Sequence, residues 1–150
     1  MIDPIDLKIL ELLKKDSRIS RQEIADKLSI SRQTVHNRIK ILEENDVILQ
    51  YTCLINDKKL GKEVTTIILI ILDRAASVWK FTAEKLLDKR DELDLCEMHH
   101  LAGEYDVMLK MKTDSIASLE KNLAIITSIK VVQRTHTMVC LSGYESGFQL

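Results

Sequence analysis

The sequence predicts an α+β chain built from two small domains, three short helices followed by a βαββαβ unit. Three observations carry this. In the first third, apolar residues recur at the three- and four-residue spacing of helices. After Val47 they gather into β-branched runs separated by two helical stripes. Between the halves, "NDKKLGKE" is a polar break that holds the first of the four glycines, Gly61, and marks the expected boundary of folding units. A chain of 150 residues divided in this way buries little core per unit, so self-association is a natural source of further burial.

The composition is 45% hydrophobic and 30% charged, with one proline, which excludes a disordered or fibrous chain. The longest apolar run, Ile67 to Leu72, is strand-sized and too short to span a bilayer. The opening "MIDPIDLKIL" has neither the basic region nor the small-residue cleavage site of a secretory signal, so a cytoplasmic protein with no membrane partner is expected. Cys53, Cys96 and Cys140 are odd in number and embedded in apolar segments, which predicts buried free thiols. The net charge of −1 argues against indiscriminate polyanion binding. From Arg18 to Lys40, however, six cations face two carboxylates, a local net of +4.

Within residues 1–46, Asp3 is placed to cap a first helix with Pro4 at its first position, and Ile5, Ile9, Leu12 and Leu13 form the apolar side. Ser20 and Glu23 make an S-x-x-E capping box for a second helix, whose core side is Ile24, Ala25 and Leu28. The "LSIS" step breaks that helix and Ser31 caps the third. In "SISRQTVHNRIKILEEN", residues 29–45, Val35, Ile39 and Leu42 share one face while Gln33, Asn37 and Lys40 share the other. A short helix, a tight connection and a third helix with a basic outer face form the layout of a helix-turn-helix, whose last helix enters the DNA major groove. Amides make bidentate contacts to adenine, and Arg or Lys reaches guanine or phosphate. The predicted partner is therefore double-stranded DNA, contacted by Arg21, Arg32, Gln33, Thr34, His36, Asn37 and Lys40. The bland alternative, a solvated helix face, loses ground because the preceding helix and its caps are also present.

After "LEEND", where Asn45 or Asp46 can adopt a left-handed cap, Val47 to Ile55 reads as a hinge strand, with residues 47–60 as the linker. Residues 61–150 supply strands at Thr65–Leu72, Leu95–Leu101, Asp106–Lys112 and Val131–Leu141, with the middle two forming a hairpin around "AGEY". Helices are expected from Ser77 to about Arg90, and from Ser115 to Ile126 with Asp114 as cap and a stripe of Ile116, Leu119, Leu123 and Ile126. The order is that of a ferredoxin-like fold, a four-stranded sheet with both helices on one side. Its other side carries too many Ile, Val, Leu and Met residues to face water, which predicts a homodimer.

These segments together resemble the Lrp/AsnC family of transcription regulators, the feast/famine regulatory proteins. The carriers are "DLKILELLKKDSRIS", "EIADKLSISRQTVHNRIKILEENDVI", "LINDKKLG" and "LAGEYDVMLKM", in that order and across almost the whole chain. The resemblance implies a DNA-binding domain, a hinge strand and an ACT-like domain that dimerises through its sheet and senses a small effector. It further implies assembly beyond the dimer to tetramers or octamers, and amino-acid binding between dimers near Ala102 to Asp106. Control of amino-acid metabolism or of the protein's own gene is the implied output. Asp46 stands where the family commonly has Gly, Arg32 where it frequently has Pro, and Ala102 where Thr is frequent.

The candidate effector residues are His100, Gly103, Glu104, Tyr105, Asp106, Thr135 and Thr137. An amino acid offers an ammonium, which suits Asp106, and a carboxylate, which suits the exposed N–H groups of a Gly-containing turn. Thr135 and Thr137, two apart on one strand, share a face. Two rival functions remain. A metal-responsive regulator would use Cys96, His99 and His100, although alternation along a strand sends His99 away from the other two. A ferredoxin-like metabolic enzyme finds no support, because none of the P-loop, G-x-G-x-x-G, G-x-S-x-G or H-E-x-x-H patterns is present. Neither a metal nor a resident cofactor is expected.

Overall fold

A computed structural model describes residues 2–73 and 78–141. Ser77, expected to open a helix, and residues 142–150 of the second domain lie outside the described residues. The chain divides between Ile55 and Asn56 into two compact units, and the division falls inside the stretch read as linker.

The first unit contains α1 (Pro4–Lys15), α2 (Arg21–Leu28) and α3 (Arg32–Glu44). Local chemistry fixes both ends of α2. Ser20 Oγ accepts the Glu23 amide while the Glu23 carboxylate accepts the Ser20 amide, satisfying two otherwise orphaned donors. At the other end Ser29 takes φ 55°, a left-handed turn that redirects the chain into α3. Ser31 then caps α3 by accepting the Thr34 amide at 3.0 Å. Asp46, also at φ 55°, performs the turn after α3 that a glycine would make without strain. Ile9, Ile24, Ala25, Val35, Ile39 and Leu42 form the core, with Leu10, Val47 and Ile48 packed against it.

The second unit opens with a single 3-10 turn, Asp57–Leu60, that the sequence shows only as polar turn chemistry. Asn56 caps it and Gly61 closes it at φ 80°. Then follow β1 (Val64–Leu72), α4 (Val78–Asp88), β2 (Leu95–His100), β3 (Val107–Thr113), α5 (Ile116–Thr127) and β4 (Val132–Val139). The strands form one antiparallel sheet in the order β2-β3-β1-β4, the ferredoxin-like arrangement. Burial alternates along β1 and β3. Ile68, Ile70, Leu72, Val107, Leu109 and Met111 join Leu86 of α4 and Leu119 and Ile126 of α5 in one core. Ile67, Leu69 and Ile71 point to the opposite face and are only half-buried.

Four expectations are corrected. The stretch from Val47 to Ile55 is not a strand: the Val47 and Ile48 amides turn back to the Leu42 carbonyl, and no neighbouring segment among the described residues offers the rest ladder hydrogen bonds. Cys53 and Cys96 are exposed and Cys140 is intermediate; all three are free, but none is the buried thiol that apolar neighbours suggested. For Cys96 the reason is a register shift between Leu95 and Glu97, which leaves it unpaired at an irregularity. The cap of α5 is Ser115, whose Oγ accepts the Ser118 amide; the same hydroxyl donates to Asp114, which supports the cap from one residue back. Ile116 is exposed, and Asn122 takes the buried position the stripe left unfilled, donating Nδ2 to the Leu93 carbonyl at 2.8 Å.

Two ion pairs fasten the start of the second unit to its sheet. Lys62 Nζ lies 2.6 Å from Asp94 just before β2, and Lys112 on β3 pairs with Asp57 of the 3-10 turn. They flank a cleft of about 290 Å³ at the end of β2 and β3 opposite their hairpin. Cys96 lines this cleft, whose walls screen the thiol from part of the water around it and push its pKa up.

Candidate nucleic-acid interface and effector loop

The burial of α3 separates its two jobs. Val35, Ile39 and Leu42 are at most 3% exposed, and their side of the helix is committed to packing. Arg32, Gln33, Asn37 and Lys40 are exposed, with Thr34 and His36 half-buried at the flanks. Gln33 Nε2 donates to Asn37 Oδ1 at 3.0 Å, so the two amides one turn apart hold each other in a shared plane of donors and acceptors. Thr34 is tied to the helix start, its hydroxyl 2.8 Å from Ser31 Oγ. Lys40 is 3.6 Å from Glu44, a loose exposed pair that releases the ammonium at little cost. Arg21, the first residue of α2, is exposed as well.

Arg38 does not belong to this set, although it lies among the cations of α3. Its guanidinium turns away to Asp3 and Asp6 at the start of α1. Behind α3, Tyr51 donates its hydroxyl to Glu43 at 2.8 Å. Burial, and then the Glu43 carboxylate, push the phenol pKa up to about 12. The pairing of Tyr51 and the turning of Arg38 are both long-range events that no local spacing announces.

In the second unit the hairpin loop is anchored by Asp106. One carboxylate oxygen accepts the Leu72 amide at 2.7 Å, and its backbone amide donates to the Ile70 carbonyl at 2.9 Å. The residue named as an ammonium acceptor therefore also fixes the loop to the end of β1. Ala102, Gly103 and Glu104 are exposed, Gly103 at φ 155° with open space where a Cβ would stand. Tyr105 approaches His136 of β4, ring centroids 6.3 Å apart. His136 is a neighbour the sequence reading passed over, and alternation along β4 was the signal that sets it opposite the two threonines. Thr135 and Thr137 pair with Ile70 and Ile68, which places them on the helix-covered side. His100 stacks on Trp79 of α4 at 4.3 Å, rings 5° from parallel. The structure thus gathers Tyr105 with His136 and Asp106 with the end of β1, while the threonines occupy the other face.

The metal-ligand candidates do not converge. His99 pairs with Met108 and faces the open side, where it lies 3.5 Å from Glu97. His100 faces α4, and Cys96 sits at the irregularity before Glu97. Among the described residues no three His, Cys, Asp or Glu side chains are arranged to hold an ion. Among the same residues no helix is long and apolar enough to cross a membrane.

Comparison with known proteins now adds to this geometry. Residues 2–48 match the winged helix-turn-helix DNA-binding model, and residues 65–150 match the Lrp/AsnC ligand binding domain. The HTH-type transcriptional regulator FL11 of Pyrococcus furiosus is 32% identical over 150 residues, covering 100% of this chain and 96% of FL11. LrpC of B. subtilis superposes with a TM-score of 0.79 at 31% identity, over 97% of this chain and 99% of LrpC. A Neisseria meningitidis transcriptional regulator, NMB0573, solved as a complex with L-Met, has the same fold, with a TM-score of 0.88 at 18% identity over 99% and 97% of the two chains.

The fold and these matches define a DNA-binding transcriptional regulator with a ligand-binding domain, not an enzyme. The chain belongs to the Lrp/AsnC family.

Proposed function

We propose that this regulator reads DNA through the exposed face of α3 and changes its assembly or DNA affinity on binding a small effector, most simply an amino acid. The observation that carries the DNA assignment is the Gln33–Asn37 amide pair, exposed on a helix whose opposite face is fully buried. Gln33 and Asn37 are the base readers, Arg32 and Lys40 serve guanine or phosphate, and Thr34 and His36 flank them. Arg21 contacts phosphate from the start of α2, where the helix dipole adds to its charge. Residues 1–46 form the reading domain, 47–60 the link, and 61–150 the sensing and dimerising domain.

The effector reading rests on the ligand-binding family match and on the chemistry of residues 100–106, and the Neisseria regulator supplies an example of this fold holding an amino acid. Exposed N–H groups around Gly103 suit a carboxylate, and the second oxygen of Asp106, with Glu104 nearby, suits an ammonium. Thr135 and Thr137 of β4, and His100 against Trp79 of α4, lie on the helix-covered side of the sheet, so direct contact with the effector falls to residues 103–106. The half-buried row Ile67, Leu69 and Ile71 supports a homodimer through the open sheet face, with tetramers or octamers built from it. Ligand and DNA are then linked reciprocally, each shifting the other's affinity by the same factor. Control of amino-acid metabolism or of its own gene is the corresponding output.

The test of the DNA assignment uses a duplex enriched from a random-sequence pool by the full-length protein. Asn37→Ala should lose roughly 1 to 3 kcal/mol of discrimination between that duplex and a scrambled one. Arg21→Ala should weaken both alike and lower the salt slope by about one. An Asn37→Ala protein with undiminished discrimination would remove α3 from the reading role.

A further inference from the structure

We infer that Arg38 is a positioning residue for DNA reading, which seats α3 on α1 and contacts no phosphate itself. This rests on the assignment of base reading to α3. Arg38 Nη1 donates to Asp3 Oδ2 at 2.7 Å and to Asp6 Oδ1 at 2.8 Å. The two carboxylates are held in turn. Asp3 Oδ1 accepts the amides of Ile5 and Asp6, and Asp6 Oδ2 accepts the Asp3 amide. Neither carboxylate can follow the guanidinium if α3 rolls or slides, so the clasp has a fixed end.

The charge count agrees. Two carboxylates over-neutralise one guanidinium, and a cluster of net −1 repels phosphate. Arg38 is also half-buried, its side chain 25% exposed, with Nε buried and lacking a hydrogen-bond partner. A phosphate-binding arginine presents its fork to solvent; here Nη1 is committed to both carboxylates of α1 and Nε is buried, so the fork is not free to grip a phosphate with both arms.

The apolar face of α3 explains why such a clasp is needed. Contacts of Val35, Ile39 and Leu42 are non-directional, and they tolerate small rotations of the helix about its axis. Bidentate base contacts do not, because hydrogen bonds weaken steeply with angle. Arg38 directly follows Asn37 in the helix, so the rotation that strains the clasp is the one that would displace the Gln33–Asn37 pair.

The test measures Kd for the enriched and the scrambled duplex, and the salt slope of each, for full-length wild type, Arg38→Met, Arg38→Lys and Asn37→Ala, well below the unfolding temperature. The expected result for Arg38→Met is about a tenfold loss of affinity for the enriched duplex, scrambled-duplex affinity within about twofold, and an unchanged salt slope. Arg38→Lys, which keeps one of the two bonds, should recover part of the loss. An equal fall on both duplexes would reduce Arg38 to a fold-stabilising residue, and a slope lowered by about 0.9 would make it a phosphate contact; either overturns the inference. If Arg38→Met does not fold, Asp6→Asn and Asp3→Ser carry the same expectations, since serine keeps the α1 cap and Arg38 remains. Loss of discrimination in Asn37→Ala but not in the clasp variants sinks the clasp alone. Undiminished discrimination in Asn37→Ala sinks the reading role of α3 and the clasp with it.

Discussion

Asp3 shows how one side chain serves two elements. It caps α1 and holds Arg38, and the Asp6 amide and then the Arg38 hydrogen bond keep its carboxyl pKa below the ordinary value of 3.8. A depressed carboxylate stabilises the fold above its unfolded-state pKa and loses that contribution as pH falls through the folded value. Unfolding temperature should therefore drop below about pH 4 more steeply in the wild type than in Asp3→Ser, which keeps a cap but has no charge to lose. Equal acid limbs, followed by circular dichroism, would show that the clasp does not discriminate the ionised form. Neither the Asp3–Arg38 bond nor the Asn122–Leu93 bond was legible in the sequence, because each joins residues about thirty positions apart. Local spacing assigned Arg38 to the cations of α3, and only the fold assigns it to α1.

The helices were legible because their determinants are local. Asp3 with Pro4, Ser20 with Glu23 and Ser31 all cap where the sequence places them. Ser31→Ala should cost about 0.5 to 2 kcal/mol in chemical denaturation, and it should loosen the turn that carries Gln33. A loss below that range would mean water replaces the cap. The left-handed turn at Asp46 makes a sharper test: Asp46→Val, β-branched at positive φ, should cost about 1 to 2 kcal/mol, whereas Asp46→Gly should be near neutral. The strand elements were less legible at their edges. The irregularity at Cys96 and the 3-10 turn at Asp57–Leu60 depend on partners across the sheet, Lys110 to Met111 and Lys112 respectively. Val47–Ile55 has strand chemistry but no ladder partner among the described residues, which is why periodicity alone misassigned it.

At the scale of the whole molecule, the open sheet face and the exposed loop at Ala102–Glu104 argue for an assembly. Leu69→Lys, placing a charge at the centre of β1's open face, should convert the proposed dimer to monomers by analytical ultracentrifugation while leaving the helix-covered core intact. A Leu69→Lys dimer of unchanged stability would move the interface elsewhere. The topology of this domain was readable from the order of its runs, but the effector site was not. Residues 100–106 were placed largely by family resemblance, and their ring contacts with Trp79 and His136 arise through register and packing that one-dimensional spacing does not encode.

In the proposed mechanism a ligand-binding domain and a DNA-reading helix act on one equilibrium. The measurement that meets it most directly is titration of the enriched duplex with full-length protein, alone and with each of the twenty amino acids at millimolar concentration, alongside thermal unfolding in the same solutions. At least one amino acid should raise the unfolding temperature, by about 2.7 kcal/mol of stability per site when present at about 100 times its Kd. The same amino acid should change DNA affinity, and DNA should change its affinity by an equal factor. An amino acid that stabilises the protein while leaving DNA affinity untouched would contradict the linkage, and twenty without effect on either would contradict the amino-acid effector itself.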